Sequence, residues 1–362
     1  MGLFGIDIEK GLALAGRVDA RYRPVFDKFS PADRAGVGFY FLPHNSRKEI
    51  LGVTRPRVVK WYCPFADQRE FPSGHRYCIN VYAGCSHGCT YCYAAGYEAG
   101  EARCKESFKA KLLKDLSEIE EFDLPPAPVH LSNSTDPLQA LEREQGLTLF
   151  TLGQLVRYRR YFTSVVILTK NPAVLLSGEY LSVLKELDGQ GEGLRVEISL
   201  AFSLQADADF YDTGAPSVVS RMEAVRELRR NGIRVVLRID PLLVRDPLPE
   251  GRCLADFGLP DSQSLSSLEK LVGFAAECGV MHIVYSVAKI VVPRDKPLSP
   301  AMEGLKGAYE FMARPERLDF RGGAWRLPSH IAQEQIVEPF LKICDSYGMK
   351  TLFCKQNLIS TR

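Results

Sequence analysis

An excess of charge of either sign is missing from this 362-residue chain, in which 46 lysines and arginines stand against 44 aspartates and glutamates for a formal charge of +2. Nothing global pulls it towards nucleic acid or an anionic membrane. Local basic groups at Arg55–Lys60, Arg157–Arg160, Arg226–Arg234 and Arg314–Arg326 lie among acidic neighbours or on helical faces, as on a solvated surface. A long apolar run is missing too. The longest, near His282 to Pro293, contains Lys289 and is too short to span a bilayer, so no membrane segment is expected. The opening MGLFGIDIEKG places Asp7, Glu9 and Lys10 where a signal peptide is apolar, and Ile6 where a myristoylation signal has Ser or Thr. Neither export nor a lipid anchor is expected, and the expected location is the cytoplasm. Low-complexity tracts and sequence repeats are also absent.

What is present is ordinary globular material, 46% hydrophobic and 25% charged, enough to bury a core without disulfides. Ten cysteines without an export signal point to thiols kept reduced for metals or catalysis. Three cluster tightly. The other seven (Cys63, Cys78, Cys104, Cys253, Cys278, Cys344, Cys354) are scattered, and a small buried hydrophobe is the first reading of each.

From about residue 78 short β-branched runs alternate with longer stretches of helical spacing. Strands are expected at Cys78–Tyr82, Pro128–Asn133, Ser164–Thr169, Leu194–Phe202, Ile233–Asp240 and Met281–Val287. Helices are expected at Cys104–Phe122, Leu147–Tyr161, Pro172–Leu187, Pro216–Asn231 and Leu265–Cys278. Pro172 and Pro216 suit first helical turns, while Asn231-Gly232 and Cys278-Gly279 suit helix ends. Six such units favour an α/β fold with a closed or partly closed parallel barrel, a doubly wound open sheet being the alternative. Residues 1–77 read as an N-terminal extension, 78–293 as the barrel core and 294–362 as a C-terminal cap. One of the two flanking segments is expected to shield the site.

The segment Asn80-Val-Tyr-Ala-Gly-Cys85-Ser-His-Gly-Cys89-Thr-Tyr-Cys92-Tyr93 puts three thiols on one loop between a strand and a helix. Thiolates are the usual ligands of iron–sulfur clusters, and three of them leave one iron of a [4Fe–4S] cubane open. Gly84 and Gly88 allow the tight turns such a loop needs. A zinc knuckle completed by His87 or another cysteine is the alternative, although its usual paired two-residue spacings are not found. His87 reads as a loop residue rather than a ligand.

The Cys-x3-Cys-x2-Cys loop after the first barrel strand resembles the signature of radical S-adenosylmethionine enzymes. GCSHGCTYCYA is similar to the spore photoproduct lyase-like branch, also described as DNA repair photolyase-like, over roughly residues 78–290. The resemblance implies a partial (β/α)6 TIM-like barrel of the radical S-adenosylmethionine type. It implies a [4Fe–4S] cluster on Cys85, Cys89 and Cys92, S-adenosyl-L-methionine as second cofactor, and an electron donor such as a flavodoxin or ferredoxin as partner. It also implies reductive cleavage of the cofactor to a 5′-deoxyadenosyl radical that takes hydrogen from substrate.

Carried over position by position, the resemblance implies cofactor-binding roles for Tyr91 beside the adenine, for Lys170 at the end of the third strand, and for Ser199 and Arg221. Ser134 and Asp136 sit in the small-polar turn LSNSTDPLQ that ends the second strand, where helix capping is an equal explanation. Glu197, amid an apolar strand, needs a partner wherever it is buried. Tyr93 matches the tyrosine implicated in passing hydrogen to the substrate radical. The position of the branch's hydrogen-donating cysteine is Asn133 here, and an amide cannot replace a thiol. Cys253, Cys354 and Cys104 are the other candidates for that donor. Nucleic acid leads the substrate classes, a peptide or small molecule is the alternative, and a non-enzymatic iron–sulfur or zinc protein is the third reading.

Overall fold

The computed structural model describes residue 27 and residues 58–60, 77–96, 101–121, 126–132, 134–189, 193–292, 297–318 and 324–354. Most of the expected N-terminal extension lies outside the described residues, as do Asn133 and Cys63. The strands in chain order are β1 (Val59–Lys60), β2 (Tyr77–Ile79), β3 (Tyr82–Ala83), β4 (Arg103–Cys104), β5 (Val129–Leu131), β6 (Val165–Thr169) and β7 (Leu194–Ser199). They continue with β8 (Val235–Leu242), β9 (His282–Val287), β10 (Ile290–Val291), β11 (Glu316–Leu318), β12 (Ala324–Arg326) and β13 (Lys350–Phe353). The helices are α1 (Phe108–Glu121), α2 (Glu142–Gln145), α3 (Leu147–Arg157), α4 (Gly178–Asp188) and α5 (Gln205–Tyr211). After them come α6 (Val218–Arg230), α7 (Leu265–Glu277), α8 (Pro300–Met312), α9 (Ser329–Ala332) and α10 (Glu338–Ser346).

The main sheet runs in the order β1-β2-β5-β6-β7-β8-β9-β13. Every pair from β2 to β13 is parallel, and β1 joins the edge antiparallel with Val59 opposite Ile79. Spatial order follows chain order without reversal, so the switch point of a doubly wound sheet does not arise. Each helical crossover then turns the same way and the sheet curls into a partial barrel, as expected. Its edges, β1 and β13, do not pair with each other among the described residues.

Local sequence explains the elements. The VVILT of β6 is almost wholly buried, as a parallel strand covered on its outer face by helices must be. On α7 the face Leu268, Leu271, Val272 and Ala275 is buried at helical spacing against α10 and the sheet. A buried leucine of this kind contributes about 2 kcal/mol by leaving water. Ser217, Ser264 and Ser299 cap α6, α7 and α8, each accepting from the backbone N–H three residues on.

Three differences from expectation have physical causes. The helix expected over 172–187 breaks at Ser177, whose extended backbone separates a short 3-10 turn from α4. The helix α5 was not anticipated, since QADADFY is short and largely polar. Lys350–Phe353, placed by the sequence in the C-terminal cap, joins the main sheet with Lys350 opposite His282, after α10 has supplied the crossover. Within the segment after residue 297, β12 pairs with β10 and β11, and Val291 and Ala324 of that small sheet pack against Tyr93.

Candidate active site

The thiol loop leaves β3, which is tied down at Tyr82 because its hydroxyl donates to the buried Glu142. The same carboxylate accepts from the N–H groups of Thr148 and Leu149 at the start of α3. Beyond β3 the loop is gripped from two sides. Gln139 accepts from Ser86 N at 2.9 Å and donates to the Gly84 carbonyl at 3.2 Å. The turn after α5 supplies the other grip: Thr90 N donates to Tyr211 O at 2.9 Å, and Gly214 N to His87 O at 2.7 Å. Two glycines make this closeness tolerable. Gly88 has φ +59°, and a Cβ on Gly214 would lie 2.5 Å from the Ser86 carbonyl oxygen.

His87, buried, pairs through Nε2 with Asp136 Oδ2 at 3.0 Å while Nδ1 faces Gly214 O at 3.2 Å. Burial works to lower its pKa, but the charge and hydrogen bond of Asp136 prevail and raise it. Asp136 also accepts from Leu138 N, Thr169 Oγ1 and Lys170 N at 2.8, 2.8 and 2.6 Å. Burial alone would raise its pKa, and the His87 charge holds it below the usual value. Asp136 therefore joins the thiol loop to the end of β6, with both oxygens engaged.

All three thiols open on a cavity of about 970 Å³, its mouth included, at the C-terminal ends of the strands. Tyr91, Tyr93, Ser134, Asp136, Lys170 and Ser199 line it as well. Ser134 is held by Asn80, whose side-chain N–H donates to the serine oxygen at 3.0 Å. Arg221 does not line the cavity. It lies buried beneath, donating to the Ser199 carbonyl at 3.2 Å and to Asp212 Oδ2 at 3.0 Å.

Asp212, just after α5, is the residue that sequence reading missed. Its carboxylate accepts from Tyr91 OH, from Lys170 Nζ at 3.1 Å and from Arg221. Lys170 Nζ also donates to Tyr91 OH at 2.8 Å and Ser199 Oγ at 3.0 Å. Four residues singled out separately, Tyr91, Lys170, Ser199 and Arg221, thus meet around one unpredicted carboxylate. Burial would raise the Asp212 pKa, but the Lys170 and Arg221 charges bring it down to about 2. Burial, reinforced by Asp212, drives Tyr91 well above its ordinary value and keeps it a hydrogen-bond donor.

A second network lies at the ends of β8 and β9. Buried Arg238 donates to Glu197 Oε2 at 2.6 Å, to Asp240 and to Cys354 Sγ at 3.0 Å. Arg195 holds the other Glu197 oxygen at 2.7 Å, and Ser286 donates to Asp240. Glu197 thus has the partner its burial demands. Burial raises its pKa and the Arg238 and Arg195 charges outweigh that, leaving it at about 2.

Against known proteins, no family model matches the chain. An uncharacterized protein of Methanocaldococcus jannaschii is 25% identical over 203 residues, 55% of this chain and 70% of that one. Among solved structures, a mutant of spore photoproduct lyase superposes with a TM-score of 0.53 at 14% identity, covering 83% of this chain and 81% of that one. Another mutant of that lyase, with bound AdoMet and dinucleoside spore photoproduct, gives 0.54 at 14% identity over 83% and 80% of the two chains. The chain carries the fold of spore photoproduct lyase. The partial-barrel fold that the thiol-loop resemblance implied is therefore the one observed.

The donor set can be tested against the two kinds of metal group. Among the described residues no three His, Cys, Asp or Glu side chains gather as ligands of a single ion, which would sit about 2.3 Å from each thiolate. His87 is committed to Asp136 and Gly214. Cys85, Cys89 and Cys92 line one wall together, and none of Cys78, Cys104, Cys253, Cys278, Cys344 or Cys354 joins them on the cavity lining. Three thiols on a glycine-bent loop, with no fourth on the lining among the described residues, fit a larger cluster with one open position. Burial, helped by Asp136, lifts Cys85 to about 11, and burial lifts Cys89 well above the usual thiol range, so loading metal releases protons.

Of the three hydrogen-donor candidates, Cys104 is exposed on β4 and Cys253 caps a short 3-10 turn. Cys354 sits behind Arg238.

Proposed function

We propose that the chain is a radical S-adenosylmethionine enzyme, with Cys85, Cys89 and Cys92 holding a [4Fe–4S] cluster and the cavity beside them holding S-adenosylmethionine. The observation that carries this is the convergence of the thiol loop, Tyr91, Lys170 and Ser199 on one cavity at the strand ends. When bound, the pair supplies one-electron cleavage to methionine and a 5′-deoxyadenosyl radical.

The chain's own residues then have defined tasks. Lys170 brings an ammonium whose three N–H groups go to Tyr91, Ser199 and Asp212, a fixed positive charge that attracts the carboxylate of an amino-acid tail. Ser199 and Ser134 offer hydroxyls to the polar edges of the same ligand. Asp136 and His87 hold the loop in register, and Arg221 acts through Asp212 as a positioning residue. Tyr93, on the lining and covered by the β10–β12 sheet, faces the space where substrate hydrogen would be exchanged.

Nucleic acid is the first substrate class to test, given the dinucleoside bound by the lyase of like fold. A flavodoxin or ferredoxin is the proposed electron donor, and a reducing compartment such as the cytoplasm suits the nine free cysteines described. Anaerobic reconstitution, reduction in the presence of S-adenosylmethionine and chromatographic detection of 5′-deoxyadenosine test the reading. Product above a Cys89→Ala control is expected. A reduced four-iron protein yielding none above that control overturns it.

A further inference from the structure

The cavity takes up the C-terminal ends of the strands, and the opposite end of the barrel carries a second concentration of charge. Side chains alternate along a strand, so a residue four positions before an inward one faces the interior as well. Counting back from Ser199, Arg238 and Ser286, which line the cavity, reaches Arg195 on β7, Arg234 just before β8 and His282 at the start of β9. Lys350, at the start of β13, stands opposite His282 in the register and four positions before Cys354, whose sulfur meets Arg238. Val196 pairs with Val235 and its N–H donates to Arg234 O at 3.0 Å, so Arg195 and Arg234 are cross-strand neighbours. Three cations and a histidine thus stand on four adjacent strands at the barrel floor. The buried Val236 and Val284 separate them from the cavity.

Little balances this charge. Arg195 holds one oxygen of Glu197 at 2.7 Å, but Arg238 and His130 act on that carboxylate too. Burial and then the charges of Arg234, Lys350 and Arg195 lower the pKa of His282, and no carboxylate among the described residues opposes them. The floor is also open to solvent. The Arg195 side chain is 32% exposed, Arg234 and His282 are half-buried, and Lys350 is exposed beside Leu352, itself 58% exposed on the edge strand. Neighbouring strands lie about 4.8 Å apart, so the four positions span about 14 Å, wider than a single phosphate or carboxylate. Guanidinium forks and an ammonium suit phosphate oxygens, the forks by paired N–H groups.

We propose that the floor formed by Arg195, Arg234, His282 and Lys350 binds a ligand carrying two or more linked phosphates. Such a chain spreads its negative charge over the width that the cations cover. Its source is a nucleoside diphosphate or a nucleic-acid strand, which share this chemistry. The site is separate from the thiol-loop cavity and does not depend on what that cavity holds.

Calorimetric titration of the anaerobically reconstituted protein at pH 7 and low salt, with pyrophosphate and separately with a single-stranded oligonucleotide, tests the proposal. Saturable binding of at least one is expected, weakened tenfold or more in the double variant Arg234→Gln with Lys350→Gln. It should stay within threefold in Arg226→Gln with Arg230→Gln, which removes the same charge from exposed positions on α6. Lys350→Gln alone, which alters only an exposed side chain, should weaken binding threefold or more. Binding of pyrophosphate assigns a small diphosphate ligand, and binding of the oligonucleotide without pyrophosphate assigns a nucleic-acid strand. Binding of neither, unchanged affinity in the two floor variants, equal losses in the two double variants, or displacement of the ligand by S-adenosylhomocysteine overturns the proposal. A hexaglutamate peptide bound as tightly as pyrophosphate overturns it as well, since charge alone would then account for binding.

Discussion

Two ion networks line one cavity, and they are built inversely. Beneath the thiol loop a single carboxylate, Asp212, stands between two cations, Lys170 and Arg221. On the β8–β9 wall a single guanidinium, Arg238, stands between two carboxylates, Glu197 and Asp240. In each, one residue, the hub, is shared by two of opposite sign, although Glu197 has Arg195 as a second cation. Removing Asp212 takes from Lys170 and Arg221 the carboxylate they share, whereas removing Arg238 takes the cation from Asp240 and leaves Glu197 with Arg195. Among the described residues two lysines line the cavity, Lys170 in the Asp212 network and Lys289 at the turn into β10. The comparison separates what holds the walls together from what the walls present to ligands.

Removing the hubs should give the largest effects. Arg238→Met is expected to cost about 3–5 kcal/mol in chemical denaturation, since Glu197 and Asp240 lose the cation they share. If its cost is below that of Arg195→Met, Arg238 is not the hub. Asp212→Asn keeps the shape and one acceptor, so about 2–3 kcal/mol is expected, with weaker binding of S-adenosylmethionine because Lys170 is no longer oriented.

Acid should act on both networks together. Asp212 falls from an ordinary 3.8, and Glu197 from 4.5, each to about 2, so their stabilisation is complete above the unfolded values and is lost as pH drops from about 4.5 towards 2. The loss is of order 2–3 kcal/mol per group, read as a falling denaturation midpoint, and Asp212→Asn should flatten that slope. The smallest effect is Tyr91→Phe, expected to cost about 1–2 kcal/mol for one buried hydrogen bond to a carboxylate. A cost equal to that of Asp212→Asn would make Tyr91, not Asp212, the organiser.

The same contrast explains what was legible in the sequence. Cys85, Cys89 and Cys92 could be read because spacing along one loop is a local property, and glycines at turns leave a local mark. Strand–helix alternation was likewise visible, since parallel strands such as VVILT are apolar throughout. Asp212 was invisible because its partners come from the thiol loop, from β6 and from α6, and no periodicity links them. The one signal for the β8–β9 wall was Glu197 in an apolar strand, which announced a partner without naming Arg238. β13 escaped the barrel count because its sheet position is set by pairing with β9 across an intervening 62 residues.

The proposed function seats S-adenosylmethionine beside Asp212 and Lys170 rather than on the β8–β9 wall, and its equilibrium affinity tests that assignment most directly. In the anaerobically reconstituted protein, Lys170→Met should weaken binding at least tenfold, and at least five times more than Lys289→Met does. Equal losses in the two variants, or the larger loss in Lys289→Met, would contradict it.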